Sequence, residues 1–222
     1  MLKAVIFDFD GTLVSTIDLH VESTQKALER LGIKVDPKDV TDEIGKSLGD
    51  LIKDLAKKYP EIHHIDMKDI VKLKKEIFYQ NLDKVKLIRG ARELLNLLKD
   101  NGIKIGLATS SSRDFVYTIL KRFDILDYFD AIVTAEDVPH AKPNPEIFIK
   151  AIELLNVKPY EAVVIEDSSY GVIAAKRAGI PVFAVLTGVN NKRTLEKLHP
   201  NKIFKDLYEI YLYFRNNGFK LL

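Results

Sequence analysis

Cysteine is absent from the 222 residues, and so is tryptophan. Without cysteine there are no disulfides, no thiolate metal sites and no cysteine nucleophile. No apolar run approaches the ~18 residues that a membrane-spanning helix needs. The N-terminus enters an apolar strand pattern directly, without the charged, apolar and small-residue regions of a secretory leader, so a cytoplasmic protein is expected. An excess of one charge is missing too. Lys and Arg total 34 against 32 Asp and Glu, a net charge of +2, too little to argue for nucleic acid as a partner. Tracts such as "DLIKDLAKKY" and "DIVKLKKEI" read as solvated helix faces. What is present, 46% hydrophobic and 30% charged residues, describes a globular chain long enough for one large domain or a domain with an insertion.

The first segment, "VIFDFDGTLV" (5–14), opens as a buried strand and then presents Asp8 and Asp10 with only Phe9 between them. Alternate residues of a strand share a face, so the two carboxylates are expected side by side at the strand end. Four later apolar runs resemble it: "IKIGLAT" (103–109), "AIVTA" (131–135), "AVVIED" (162–167) and "PVFAVLT" (181–187). Helical spacing separates them in "ARELLNLLKDNG", "RDFVYTILKRF", "PEIFIKAIELLN" and "GVIAAKRAG". Strands alternating with helices imply an α/β fold with a parallel sheet covered on both faces. Residues 15–86 break that rhythm. "DLHVESTQKALERLG", "VTDEIGKSLGDLIKDLAKKY" and "MKDIVKLKKEIFYQNLDKV" are all helical in period, with no buried strand between them. The expected organisation is therefore a core of 1–14 and 87–222 carrying a helical insertion at 15–86, placed to fold over the first strand end as a lid.

In an open α/β sheet, ligands bind outside the carboxyl ends of the strands. Those ends carry Asp8 and Asp10, then Thr109, Ser110, Ser111 and Ser112, then Glu166, Asp167 and Ser168, while Lys142 follows the "AIVTA" run. Taken singly, each has a plainer reading. Asp8 and Asp10 make a turn pair, Thr109 and Asp167-Ser168 make helix N-caps, and Lys142 is a lysine before proline. Taken together they suit a Mg²⁺ site beside a bound phosphate. Mg²⁺ takes oxygen ligands from carboxylates and phosphate and supplies the charge that the paired acids lack. Lys142 and Thr109 would hold phosphate oxygens, helped by the backbone after Asp10, where Gly11 permits close approach.

The ordered motifs "DFDGT", "LATSS", "AKPNPEIF" and "VVIEDSSYG" resemble those of the haloacid dehalogenase superfamily, and the chain looks like one of its phosphohydrolases. The resemblance covers the whole chain and implies a Rossmann-like core with an inserted all-α C1 cap. It also implies that Asp8 is the nucleophile, Asp10 the general acid/base, and Lys142 a catalytic cation. Gly11, Thr12, Thr109, Ser110 and Lys142 would bind phosphate, and Asp8, Asp10, Glu166 and Asp167 would hold Mg²⁺. Such chemistry needs Asp8 ionised while Asp10 starts as an acid, so their pKa values should lie apart.

The insertion resembles the cap of the phosphoglycolate-phosphatase and β-phosphoglucomutase branches. His20 matches a histidine common there and is read as a site contact, a hinge residue or an interface histidine. "EIGKSLGDLI" (43–52) matches the loop that reads substrate. Mutases of this kind usually place Arg just after the Ser; here Leu48 follows Ser47 and Lys46 is the nearby cation, without the bidentate fork of Arg. A phosphatase acting on a small phosphorylated metabolite, of the 2-phosphoglycolate or sugar phosphate type, is therefore favoured over a phosphomutase. A phospho-accepting receiver domain fits less well, because it carries no helical insertion. His63-His64 reads as an exposed cap loop, "LYEIYLYF" (207–214) as a terminal amphipathic helix packed on the core, and "KLHPNKIF" as a surface turn. The assembly expected is a monomer or a homodimer.

Overall fold

A computed structural model describes residues 2–221. Six parallel strands, β1 (Ala4–Phe7), β2 (Lys104–Ala108), β3 (Ala131–Val133), β4 (Ala162–Glu166), β5 (Val182–Val185) and β6 (Lys202–Phe204), stand in the order 3-2-1-4-5-6. Both faces of β1 are apolar. Val5 and Phe7 enter one core cluster, while Ala4 and Ile6 enter another, as a strand buried between two helical layers requires. The helices, in chain order, are α1 (Ile17–Arg30), α2 (Pro37–Asp42), α3 (Leu48–Lys58), α4 (Met67–Tyr79), α5 (Ala91–Asp100), α6 (Arg113–Arg122), α7 (Glu146–Leu155), α8 (Ser169–Arg177), α9 (Lys192–Glu196) and α10 (Leu207–Asn217). Helices α5, α6 and α10 cover the Phe7 face, and α7, α8 and α9 cover the Ile6 face. The terminal helix is packed as expected, with Leu207, Ile210 and Phe214 buried.

Two expectations need correction. The "surface turn" at 197–204 contains β6, which pairs with β5 through Lys202, Ile203 and Phe204. A three-residue edge strand, only half buried, is too short to show a period. The stretch 40–59 is also not one helix. It stops at Asp42, turns through Gly45 at φ +102°, and restarts at Leu48, where the Ser47 hydroxyl accepts from the Asp50 N–H at 3.2 Å. This is an N-cap, which begins a new helix.

Helices α1–α4 lie between β1 and α5 and have their own apolar cluster, including Leu28, Val40, Ile52, Leu55 and Ile70. The fold is thus a Rossmann-like core with an inserted helical cap. The two chain crossings are joined at their base: Val14 bridges Leu87, and the Ser15 N–H donates to the Lys86 carbonyl at 2.8 Å. His63 and His64 are exposed on a short helical turn between α3 and α4. No described helix is long and apolar enough to cross a membrane.

Candidate active site

Strand β1 ends between β2 and β4, so all three carboxyl ends deliver their polar residues to one place. Asp8 follows β1 directly, its N–H donating to the Ile165 carbonyl at 2.9 Å. Glu166 closes β4 and Asp167 comes next. Among the described residues, one oxygen from each of Asp8, Glu166 and Asp167 falls within 4.8 Å of the others, and all three side chains are buried. Lys142 reaches into this group. Its ammonium donates to Asp8 Oδ1 at 2.5 Å, Glu166 Oε1 at 2.8 Å and the Ala108 carbonyl at 3.0 Å.

Three buried carboxylates facing one ammonium leave excess negative charge, which a low-dielectric site penalises. Burial therefore pushes Asp8 up to about 8, with Glu166 and Asp10 adding to the shift and Lys142 opposing it. Asp167 is raised well above the carboxylate range by burial and by the charges of Glu166 and Asp8. For Lys142 burial pulls downward, but the charges of Asp8 and Glu166 outweigh it and hold the ammonium firmly protonated. An all-oxygen donor set with unbalanced negative charge fits a hard divalent cation.

The three acids do not contribute equally. Glu166 is saturated: Oε1 accepts from Lys142, and Oε2 accepts from the Asp167 and Ser168 N–H groups, both at 2.9 Å, and the Ser168 hydroxyl at 3.0 Å. Asp167 accepts from the Thr12 hydroxyl at 3.0 Å and, more weakly, from the Val189 N–H at 3.3 Å. Asp8 keeps one oxygen away from Lys142. Glu166 therefore acts as a strut for Lys142 and the turn after β4, while Asp8 and Asp167 have capacity for a ligand. Close packing enforces this. A Cβ at Gly171 would stand 1.7 Å from Glu166 Oε1, and one at Gly188 would stand 1.5 Å from Asp167 Oδ2.

Asp10 departs from expectation. The strand ends at Phe7 and the chain turns through Gly11 at φ +82°, so the alternation that would set Asp10 beside Asp8 no longer applies. Its carboxylate lies outside the three-acid group and faces the cap. Oδ1 accepts from the Thr16 hydroxyl at 2.5 Å and meets His20 Nε2 at 2.8 Å, and Oδ2 accepts from the Ser111 hydroxyl at 2.5 Å. The carboxylate is thus a poor candidate for the metal role assigned to it from the sequence. Burial disfavours its ionisation, but His20, Ser111 and Thr16 together hold it down to about 2. The two pKa values lie apart as anticipated, yet in the reverse order. Asp8 shares its burial with two more acids, whereas Asp10 has donors on both oxygens.

His20 is a site contact. Its Nδ1 meets the Lys74 ammonium at 3.0 Å. An ammonium only donates, so Nδ1 accepts and Nε2–H is left to donate to Asp10. Burial and the charge of Lys74 lower the His20 pKa, so near neutral pH it offers Asp10 a hydrogen bond rather than a charge. Burial in turn brings Lys74 down to about 8.

The expected phosphate groups divide. Thr109, Ser110, Lys142, His20 and Lys46 line one cavity with Asp8, Asp10, Glu166 and Asp167. Thr109 is buried, and its hydroxyl accepts from the Ser111 N–H at 3.0 Å. Ser110 reaches the cap, donating to the Gly45 carbonyl at 3.4 Å. Gly11 and Thr12 are not part of that lining. The Gly11 N–H is spent on the Val14 carbonyl at 2.8 Å, and Thr12 braces Asp167. Lys46 is committed to Glu43 and to Asp54, the latter at 2.5 Å, and sits over the Tyr170 ring. Sequence reasoning missed Thr16, Lys74, Gly171 and Gly188. Ser111 stood in the serine run after β2 without an assigned part, and Lys74 stood in a tract read as solvated.

The chain matches the haloacid dehalogenase-like hydrolase family over residues 5–185. It is 38% identical over 183 residues, 81% of each chain, to a Bacillus subtilis protein that carries a provisional phosphatase name. It is 33% identical over 209 residues to the phosphorylated carbohydrates phosphatase of Thermotoga maritima, covering 87% of this chain and 90% of that one. The solved structure of β-phosphoglucomutase from Clostridium difficile superposes with a TM-score of 0.85 at 27% identity, over 97% of this chain and 96% of the other. With a match of that extent and its buried acids gathered around Lys142, the chain belongs to the haloacid dehalogenase-like hydrolase family.

Proposed function

We propose that this chain is a Mg²⁺-dependent phosphatase that hydrolyses a small phosphorylated metabolite through an aspartyl phosphate on Asp8. The observation that carries the reading is the buried contact of Asp8 with Lys142, beside Glu166 and Asp167, within the cavity that Asp10 also lines. Asp8 and Asp167 would hold Mg²⁺, with Glu166 behind them, and the bound ion would offset the charge between carboxylate and phosphate.

The residues divide the remaining work. A carboxylate oxygen of Asp8 attacks phosphorus, and the bond to the ester oxygen breaks. Lys142 balances charge on the transferring group, and Thr109 and Ser110 border its path. Asp10 gives a proton to the departing oxygen, then takes one from the water that attacks the phosphorylated Asp8, releasing inorganic phosphate. A dianionic phosphate near Asp10 raises its proton affinity, supplying the acid form that the free site disfavours. His20, oriented by Lys74, aims Asp10 from the cap.

This reading takes 1–14 and 87–222 as the catalytic core and 15–86 as the cap, supported by the pairing of residues 14 and 15 with 87 and 86. It expects a cytoplasmic enzyme, consistent with a chain free of cysteine. The commitment of Lys46 to Glu43 and Asp54, with Leu48 beside it, favours hydrolysis over phosphomutase action, because neither residue offers a free cation for a second phosphate.

The test is phosphate release with Mg²⁺ from a panel of esters, alongside Asp8→Asn. Release that disappears in Asp8→Asn, while the variant remains folded, supports the reading. Conversion of a sugar 1-phosphate to the 6-phosphate without net release would replace it with the mutase. An Asp8→Asn enzyme that keeps its activity would remove the aspartyl intermediate.

A further inference from the structure

Beyond the acids, the walls of the cavity change character. The whole cavity, acids included, has a volume of about 210 Å³. A phosphoryl group at the acids takes part of that space, and the remainder is at most comparable to the ~150 Å³ apolar cavity that takes up benzene. The walls beyond the acids are Leu48 and Leu51 from α3, Val71 and Phe78 from α4, and Phe115 from α6. Val71, which lines the cavity, is 42% exposed, whereas its neighbour Ile70 is buried in the cap's own apolar cluster.

Two of the cations on these walls are paired with carboxylates: Lys46 is held by Glu43 and Asp54, and Lys75 meets Asp114 at 3.1 Å, whereas Lys74 gives one N–H to the neutral His20 and keeps its charge. One polar atom is not engaged. Thr24, one helical turn beyond His20 on α1, lines the same cavity, and its hydroxyl is fully buried with no hydrogen-bond partner among the described residues. Buried hydroxyls are normally satisfied, and one left over beside a ligand cavity points to a group that the ligand brings.

We propose that the alcohol released from the substrate is a compact, largely apolar body of about the size of a benzene ring, with one polar substituent that meets the Thr24 hydroxyl. A polyhydroxylated sugar would leave most of its hydroxyls against Leu48, Leu51, Val71 and Phe115. The inference rests on the phosphatase reading and specifies its substrate class: a monoester of an aromatic or cycloaliphatic alcohol. Asp8 attacks phosphorus as the ester P–O bond breaks, the alcohol leaves with the proton from Asp10, and water, giving its proton to Asp10, then frees inorganic phosphate from Asp8.

Benzyl phosphate and glucose 6-phosphate are both esters of primary alcohols, so leaving-group chemistry is similar and the cavity decides between them. The expected result with the wild-type enzyme and Mg²⁺ is a kcat/KM for benzyl phosphate at least about tenfold above those for glucose 6-phosphate, 2-phosphoglycolate and pyrophosphate. Val71→Lys, a change at a partly exposed position, narrows that ratio. The KM for 3-hydroxybenzyl phosphate is expected about fivefold below that for benzyl phosphate, a difference that disappears in Thr24→Val; equal KM values in the wild type overturn the Thr24 contact. Equal or faster turnover of glucose 6-phosphate or pyrophosphate overturns the inference and leaves the phosphatase standing. No phosphate release from any ester overturns both.

Discussion

Replacing Lys142 with Met removes the ammonium that faces Asp8 and Glu166 while keeping an apolar stem of similar length beside Phe148, whose ring lies 5.0 Å from the ammonium. Lys142 is 4% exposed and contacts Asp8 at 2.5 Å and Glu166 at 2.8 Å. Removing one member of such a buried group leaves uncompensated charge and costs ~3–5 kcal/mol. For a chain of 222 residues, each kcal/mol moves Tm by ~2–4 °C, so a loss of roughly 6–20 °C is expected. The cost must also depend on pH. Near pH 8 the acids must either ionise without a partner or hold protons against the solvent, whereas near pH 5 they are protonated at little cost and most of the penalty disappears. Calorimetric melts of wild type and Lys142→Met in EDTA at both pH values measure this directly, and activity is lost at either pH. A loss below ~1 kcal/mol near pH 8, or one that does not shrink near pH 5, would show that these acids do not repel one another as the buried geometry requires.

The same cluster links metal to pH. Asp8 is raised from 3.8 to about 8, so between those values the folded protein holds a proton that the unfolded chain has lost, and metal-free stability should fall as pH rises. Mg²⁺ at one hundred times its Kd should add ~2.7 kcal/mol, with Tm against Mg²⁺ concentration as the measurement; a Tm indifferent to Mg²⁺ would reject the site. Gly188→Ala puts a Cβ into Asp167 and should weaken Mg²⁺ affinity ~10–100-fold, as lost support of a ligand does, with the far-ultraviolet circular dichroism unchanged. Unaltered affinity would show that Asp167 is not held for metal. His20→Ala takes a donor from Asp10 and should raise its pKa from about 2, followed by carboxyl-carbon NMR titration; a fixed value would mean that Thr16 and Ser111 alone set it.

Much of the site was legible because a parallel sheet is a directional device. Once β1, β2 and β4 are recognised as buried strands, Asp8, Thr109, Glu166 and Asp167 must emerge at the same edge. An inserted helical cap was legible from helical period and the lack of a buried strand in the segments that follow β1. The failures have a common cause. Thr12 bonds Asp167 across 155 residues, and Lys74 reaches His20 across 54. Amphipathic spacing shows which side of α4 is apolar, but it does not show that the polar side closes over another domain's acids. β6 escaped notice because its strand character comes from pairing with β5 at a sheet edge, not from its own three residues.

The sequence by itself determined the layer architecture, the order of the motifs and the identity of the acids, since these follow from periodicity and from residues adjacent to strand ends. Only the tertiary structure decided that Asp10 turns to the cap, that Glu166 is consumed by Lys142 and the next turn, and that Lys46 is neutralised. It alone brought Leu48, Leu51, Val71, Phe78 and Phe115 into the wall of the cavity that holds the acids. Those outcomes depend on which donors arrive from distant segments, and hydrogen-bond capacity and charge balance are settled only once the chain has brought them together.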